Sequence, residues 1–261
     1  RRNGLGAFAT IGKHWSFSAS LRDNRETELL AKPEYLTPRS SGPYKVDEFN
    51  DMRGGVMYSW NWGTAGFVKD HIEWGNHYHG ANIISSKAPS FAMFKLQIKP
   101  VQWFEFNYIH GWLTSMVVDS VRSYGYANAN RTVFHPKYLS ANMFTFTPVQ
   151  KLNMSIGNSV VYSDVGIHPN YFIPVFFYKS SDLSINGITN SAGQNSAMFI
   201  DISSRNIRNV HLYYSWYLDV FSIRDMFDEA RHANHWSFKW GGRISNILSN
   251  LSLTAEYTRT N

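Results

Sequence analysis

Over much of this chain, apolar and polar residues alternate one by one in stretches of about ten. From Val210 to Val220, one parity holds Val210, Leu212, Tyr214, Trp216, Leu218 and Val220, and the other holds His211, Tyr213, Ser215, Tyr217 and Asp219. Successive side chains of a strand point to opposite faces, so this segment has one oily face and one wet face. Trp15, Phe17, Ala19 and Leu21 oppose Ser16, Ser18, Ser20 and Arg22 in the same way. Ala92, Phe94, Leu96 and Ile98 oppose Met93, Lys95, Gln97 and Lys99.

This pattern predicts about twelve strands: Leu5–Ile11, Trp15–Arg22, Gly54–Trp62, Phe67–Trp74, Ala92–Lys99, Trp103–Leu113, Tyr138–Thr147, Leu152–Tyr162, Ala197–Arg205, Val210–Phe221, Trp236–Ser245 and Leu251–Arg259. Short turns carrying Gly, Pro or Asn alternate with long connections, and loops that long fit poorly inside a compact soluble domain. A soluble sandwich would also alternate in polarity. The strand length, the short–long rhythm of the loops and the aromatic load point instead to an all-β fold, an antiparallel transmembrane β-barrel with residues 1–261 as one domain. Lipid offers no hydrogen bonds, so such a sheet has to close. Trp15, Trp62 and Phe104 are expected in an aromatic girdle at the short-turn end, and Trp112, Tyr162 and Trp236 at the long-loop end. Two places fit poorly. Asp70 shares parity with Val68, Ile72 and Trp74 and would face lipid unless a bulge re-aims it, and Ser140 and Asn142 share parity with Phe144 and Phe146.

Composition narrows the picture. Aromatics make up 16% and charged residues 17% of the 261 residues, a balance away from that of an average soluble protein. No run approaches the ~20 apolar residues that a spanning helix needs, so the membrane reading rests on strands. The absence of cysteine excludes disulfides and thiolate metal sites. The net charge is +6, but the basic residues are scattered and form no block that marks nucleic-acid binding. The chain starts at Arg1 with no initiator Met and ends next to a strand, and we read it as an excerpt of a longer protein.

The stretch Lys69–Phe91 (KDHIEWGNHYHGANIISSKAPSF) resembles a segment of the capsule assembly protein Wzi family that runs as a charged strand followed by WGxGYxGxLxxSxxAPxF. Here Asn76-His77-Tyr78 stands where Gly-Tyr is commoner. Tyr217–Asp225 is similar to the family's strand ending in Ile-Asp and an acidic residue, with Arg224 intervening. Glu256–Asn261 is similar to its Glu-Tyr-Thr-Arg strand end. The Bacteroidota branch with RemB-like gliding-motility proteins is nearest in pattern. The resemblance implies an outer-membrane barrel, larger than twelve strands when complete, that binds surface polysaccharide and helps hold capsule on the cell.

A polysaccharide site needs aromatic platforms beside polar and charged groups. The expected candidates are Lys69, Glu73, Tyr78, Lys95, Arg205, Asp219, Lys239, Arg243 and Glu256, with His71, Asp201 and Gln97 on the same inward faces and His77, His79, Tyr124 and Tyr126 in loops. Inward charges that merely pair across a polar lumen are the plainer explanation for any one of them. The positive balance favours an anionic glycan. His71, His77 and His79 lack an evident fourth ligand, and neither a metal nor a cofactor is expected. Gly12-Lys13 lacks P-loop spacing, and HExxH and GxSxG are absent, so no enzyme is expected. The apolar cluster Tyr171–Tyr178 should fold as a short helix or turn against the barrel mouth or into the lumen, because an exposed apolar patch has to be covered. Three functions stay open: a surface-polysaccharide receptor or anchor, a barrel subunit of a larger gliding or secretion complex binding envelope proteins, and a general porin. The partners expected are surface polysaccharide, outer-membrane lipid and, in the second case, protein, with no nucleic acid.

Overall fold

The computed structural model describes residues 2–26, 47–126, 129–163, 166–186, 194–220 and 235–261. Its main feature is one antiparallel sheet of twelve strands, each hydrogen-bonded to the next one in the wall. They are β1 (Arg2–Ile11), β2 (Trp15–Glu26), β3 (Asp47–Trp60), β4 (Gly63–Asp70), β5 (Phe91–Val101), β6 (Phe104–Leu113), β9 (Lys137–Val149), β10 (Leu152–Ser163), β11 (Asn195–Ser204), β12 (Val210–Val220), β13 (His235–Ser245) and β14 (Ser252–Thr260). A small hairpin, β7 (Tyr124–Tyr126) with β8 (Ala129–Arg131), sits in the loop between β6 and β9. The tight turns all lie at one end, where Gly12, Lys151, Asn209, Asn246 and Asn250 take the positive φ that reversing the chain requires.

Ladder rows show the division of faces. Phe17, Val56, Phe67 and Phe94 lie side by side on β2 to β5, and Asp201, Ser215 and Lys239 lie side by side on β11 to β13. The first face carries exposed apolar side chains: Leu21, Val56, Phe67, Ile156, Leu212 and Leu253. The second buries polar ones: Ser155, Asp201, Ser203, His211, Ser215 and Lys239. On β12, His211 is 6% exposed and its neighbour Leu212 is 48% exposed. A water-soluble globule does the reverse. The sheet is therefore inside-out, as a barrel wall with a polar interior requires.

The sheet also curls. The backbone N–H of Tyr78, eight residues past the end of β4, donates to Glu256 on β14 at 2.7 Å. On a flat sheet those strands would stand roughly 38 Å apart at normal strand spacing. Eight residues of chain reach at most about 28 Å. Only a wall wrapped around residues 71–90 brings the two together, and that segment fills the concave side as a plug. Ile72 and Trp74 bury against Met93, Ile109, Ala141 and Phe199, which face inward from β5, β6, β9 and β11.

Glycines set how closely side chains lie on the inner wall. Gly241 pairs with Tyr213, and a Cβ there would stand 2.5 Å from the tyrosine ring. Gly157 makes the same room for Phe199, its ladder partner on β11.

Several expectations change. The turn after β3 is Asn61-Trp62, and β4 runs from Gly63 to Asp70 instead of Phe67 to Trp74. Its parity is the opposite of that expected. Asp70 faces inward, 3.6 Å from Arg53, and needs no bulge. Lys69 pairs with Gly54 on the outer parity and donates to the Met52 carbonyl at 2.7 Å. The reason is that Ile72 and Trp74 belong to the plug, where apolar side chains turn inward to make its core. Tyr162 does not join an exposed girdle; it is fully buried with its ring 4.5 Å from that of Tyr171. At the short-turn end Trp15, Tyr58, Trp60 and Trp62 do form a continuous run of ring contacts.

Ser140 and Asn142 lie on the outer face, as their parity required. The row from Phe67 and Phe94 continues through His110, Ser140, Val160 and Ser196, so an apolar row turns polar. There the wall is covered by a 3-10 turn, Pro169–Phe172, and helix α1, Tyr178–Asn186. Ser140 and Tyr108 donate to the Tyr171 carbonyl at 2.7 and 2.8 Å, and Asn142 donates to the carbonyls of Pro174 and Phe176, each at 2.8 Å. The Tyr171–Tyr178 cluster thus packs on the outside of the wall, not in the lumen. Its polar contacts satisfy the carbonyls of a stretch that forms no ladder.

Candidate functional site

The plug presents its motif to the inner face of β11 to β14. A short bridge between Trp74 and Ile84 closes its base, and Gly75 and Gly80 turn its chain at positive φ. Asn76 donates from its backbone and from its side chain to Asp201 on β11. Asn82 and Ser237 on β13 exchange hydrogen bonds, at 2.6 Å from the hydroxyl and 3.1 Å from the amide.

Glu256 is the hub. Its carboxylate accepts from the Tyr78 N–H, from His79 Nδ1 at 3.1 Å, from the Tyr213 hydroxyl and from Lys239 Nζ at 3.2 Å. Lys239 also donates to the Gly80 carbonyl and is only 6% exposed. Taken together these bonds hold the plug to the wall and satisfy a charge pair that would otherwise be costly to bury.

Beside the hub lies a more open patch. The Tyr78 hydroxyl bonds His211 Nδ1 at 2.8 Å, and His211 Nε2 bonds Ser203 at 2.9 Å. The Arg243 guanidinium lies over the Tyr78 ring at 4.8 Å, a cation–π arrangement. Arg205 reaches within 3.4 Å of the same His211 nitrogen and is otherwise exposed. Tyr78 is 40% exposed. An aromatic face with two guanidinium groups beside it suits a carboxylate-bearing ring, because arginine can grip a carboxylate with two bonds at once.

The expected site residues therefore separate. Tyr78, Arg205, Lys239, Arg243 and Glu256 come together, with Lys239 and Glu256 committed to holding the plug. Lys95 faces inward on β5, and Asp219 faces inward on β12 with a buried carboxylate oxygen that lacks a hydrogen bond; neither joins the cluster. Glu73 is not on an inward strand face: it lies in the plug, bonded to Ser86 and 3.4 Å from His77. Lys69 is on the other face altogether. His71 bonds the Ala88 carbonyl, so the three histidines serve three separate partners. The roles of His211, Tyr213, Asn76 and Asn82 were missed. His211 and Tyr213 carried a usable signal, an inward histidine and tyrosine on the cleanest strand; Asn76 stood out only as a departure within the motif, and nothing local marked Asn82.

A second hollow of about 420 Å³ lies along β1 to β4, lined among others by Ser18, Ser20, Arg22, Arg53 and Asp70. Of its two arginines, Arg53 is held by Asp51 at 2.6 Å, so that charge is largely balanced. In comparison with known proteins, no family model, no curated protein and no solved structure matches this chain.

Proposed function

We propose that this protein is a non-enzymatic outer-membrane barrel that binds or anchors an acidic surface polysaccharide, of the kind the resemblance to the Wzi and RemB-like proteins implies. The observation that carries this reading is the patch of Tyr78, Arg243, Arg205 and His211 inside a plugged wall. It combines a sugar platform with paired guanidinium groups. A general porin is disfavoured, because an open pore has no use for a plug fixed by so many hydrogen bonds.

The test uses the full chain in detergent and an acidic capsule-type polysaccharide, with binding read by calorimetry. Arg205→Ala with Arg243→Ala should weaken binding at least tenfold and leave the thermal transition in place. Lys239→Ala is a poor probe, since it removes a plug support as well as a charge. Unchanged binding by the double variant rejects the site; no binding by the parent protein rejects the function.

A further inference from the structure

We propose that the segment 168–186 is a lipid-embedded buttress: it stands on the outer wall at the long-loop end and inserts Phe172, Ile173, Val175 and Phe177 into the outer leaflet. The inference rests on the outer-membrane reading above. The segment is fixed and built, not adrift. Tyr171 and Tyr178 are fully buried against the wall, the Asn158 side chain accepts from the Tyr178 N–H at 2.9 Å, and Ser196 donates to Asp182 at 2.6 Å. His110 stacks under Phe172 with ring centres 3.9 Å apart.

Ser181 and Asp182 are buried against the wall, while Ser180 and Ser184 lie exposed on helix α1, and the stretch before the helix shows apolar side chains on the side away from the wall. Val175 is 66% exposed, and Phe172, Ile173 and Phe177 are exposed too. A contiguous apolar patch of this kind on a surface facing water calls for something apolar to cover it. The occupant is chosen by continuity. Phe176 and Ile185 of the segment share one cluster with Phe94, Leu96, Ile98, Phe104 and Phe144. Those five side chains belong to the apolar outer face of β5, β6 and β9. The patch extends the surface that the membrane reading gives to acyl chains, and aromatic and aliphatic side chains with a nearby Lys179 are what an interfacial segment carries.

The chain has no cysteine, so single cysteines report cleanly. Val175→Cys, Phe67→Cys on the outer face of β4 and Val121→Cys in the β6–β9 loop are each labelled with an environment-sensitive fluorophore. The full chain is then folded into phosphatidylcholine vesicles carrying doxyl groups near the headgroup or deep in the acyl chain. The expected result is several-fold stronger quenching at Val175 than at Val121, greatest with the shallow quencher, and strong quenching at Phe67. Quenching at Phe67 with none at Val175 overturns the buttress and leaves the membrane reading standing. No quenching at either position overturns the membrane reading itself. Protection of Val175 that appears only as the protein-to-lipid ratio rises assigns the patch to a second copy of the chain and also overturns the proposal.

Discussion

Four donors converge on the Glu256 carboxylate, so removing it strands Lys239 in a buried position without its counter-charge. Breaking a buried pair from one side typically costs about 3–5 kcal/mol. Glu256→Ala should therefore free the plug, and trypsin should cut faster than in the parent protein at Lys87, whose Nζ donates to the His79 carbonyl of the plug at 2.9 Å. Glu256→Gln keeps the shape and should be cut more slowly. Equal resistance of the Ala variant and the parent would mean that the hub does not hold the plug. Gly241 is a second single-residue lever. A methyl group there collides with the Tyr213 ring and pulls its hydroxyl off Glu256. Gly241→Ala should lower stability by about 1–3 kcal/mol, the cost of overpacking a tight contact, measured by denaturant titration in micelles.

The two elements that depart from the ladder, the plug and the segment on the outer wall, do opposite jobs with similar chemistry. Each is a non-strand stretch whose backbone is satisfied by polar side chains of the wall. Strands were legible in the sequence because side-chain parity is local: eleven wall strands lie where alternation predicted, with shifts at the ends, and β4 is displaced by four residues with its faces exchanged. The plug was not legible in its course. Its motif stood out, but Ile72 and Trp74 read as outward strand residues because apolar side chains turn inward only where a plug gives them company. Ser140 and Asn142 looked misplaced for the converse reason, since their partners are carbonyls about thirty residues later.

For the whole molecule, the decisive property is the inverted distribution of polarity. It predicts that a charge is tolerated inside and rejected outside. Trp240, exposed in the middle of β13 on the outer face, should accept arginine badly: Trp240→Arg costs about 2–4 kcal/mol if that position lies near the bilayer midplane. Ser18→Arg, which points into the hollow along β1 to β4, should fold in vesicles much as the parent does. Equal penalties at both positions would count against the barrel. Part of the candidate site could be read before any coordinates, since Tyr78, Arg205, Arg243, Lys239 and Glu256 were named from inward parity and motif. Their division of labour could not, because burial of Lys239 and openness of Arg205 depend on a contact between residues 178 positions apart in the chain. That separation also orders events in time. The plug emerges after β4, yet the wall residues that hold it lie on β11, β13 and β14. While the earlier strands are being threaded and paired, residues 71–90 lack those partners, and the inner passage has nothing to lock against. The seal should form only as β11 to β14 join the wall.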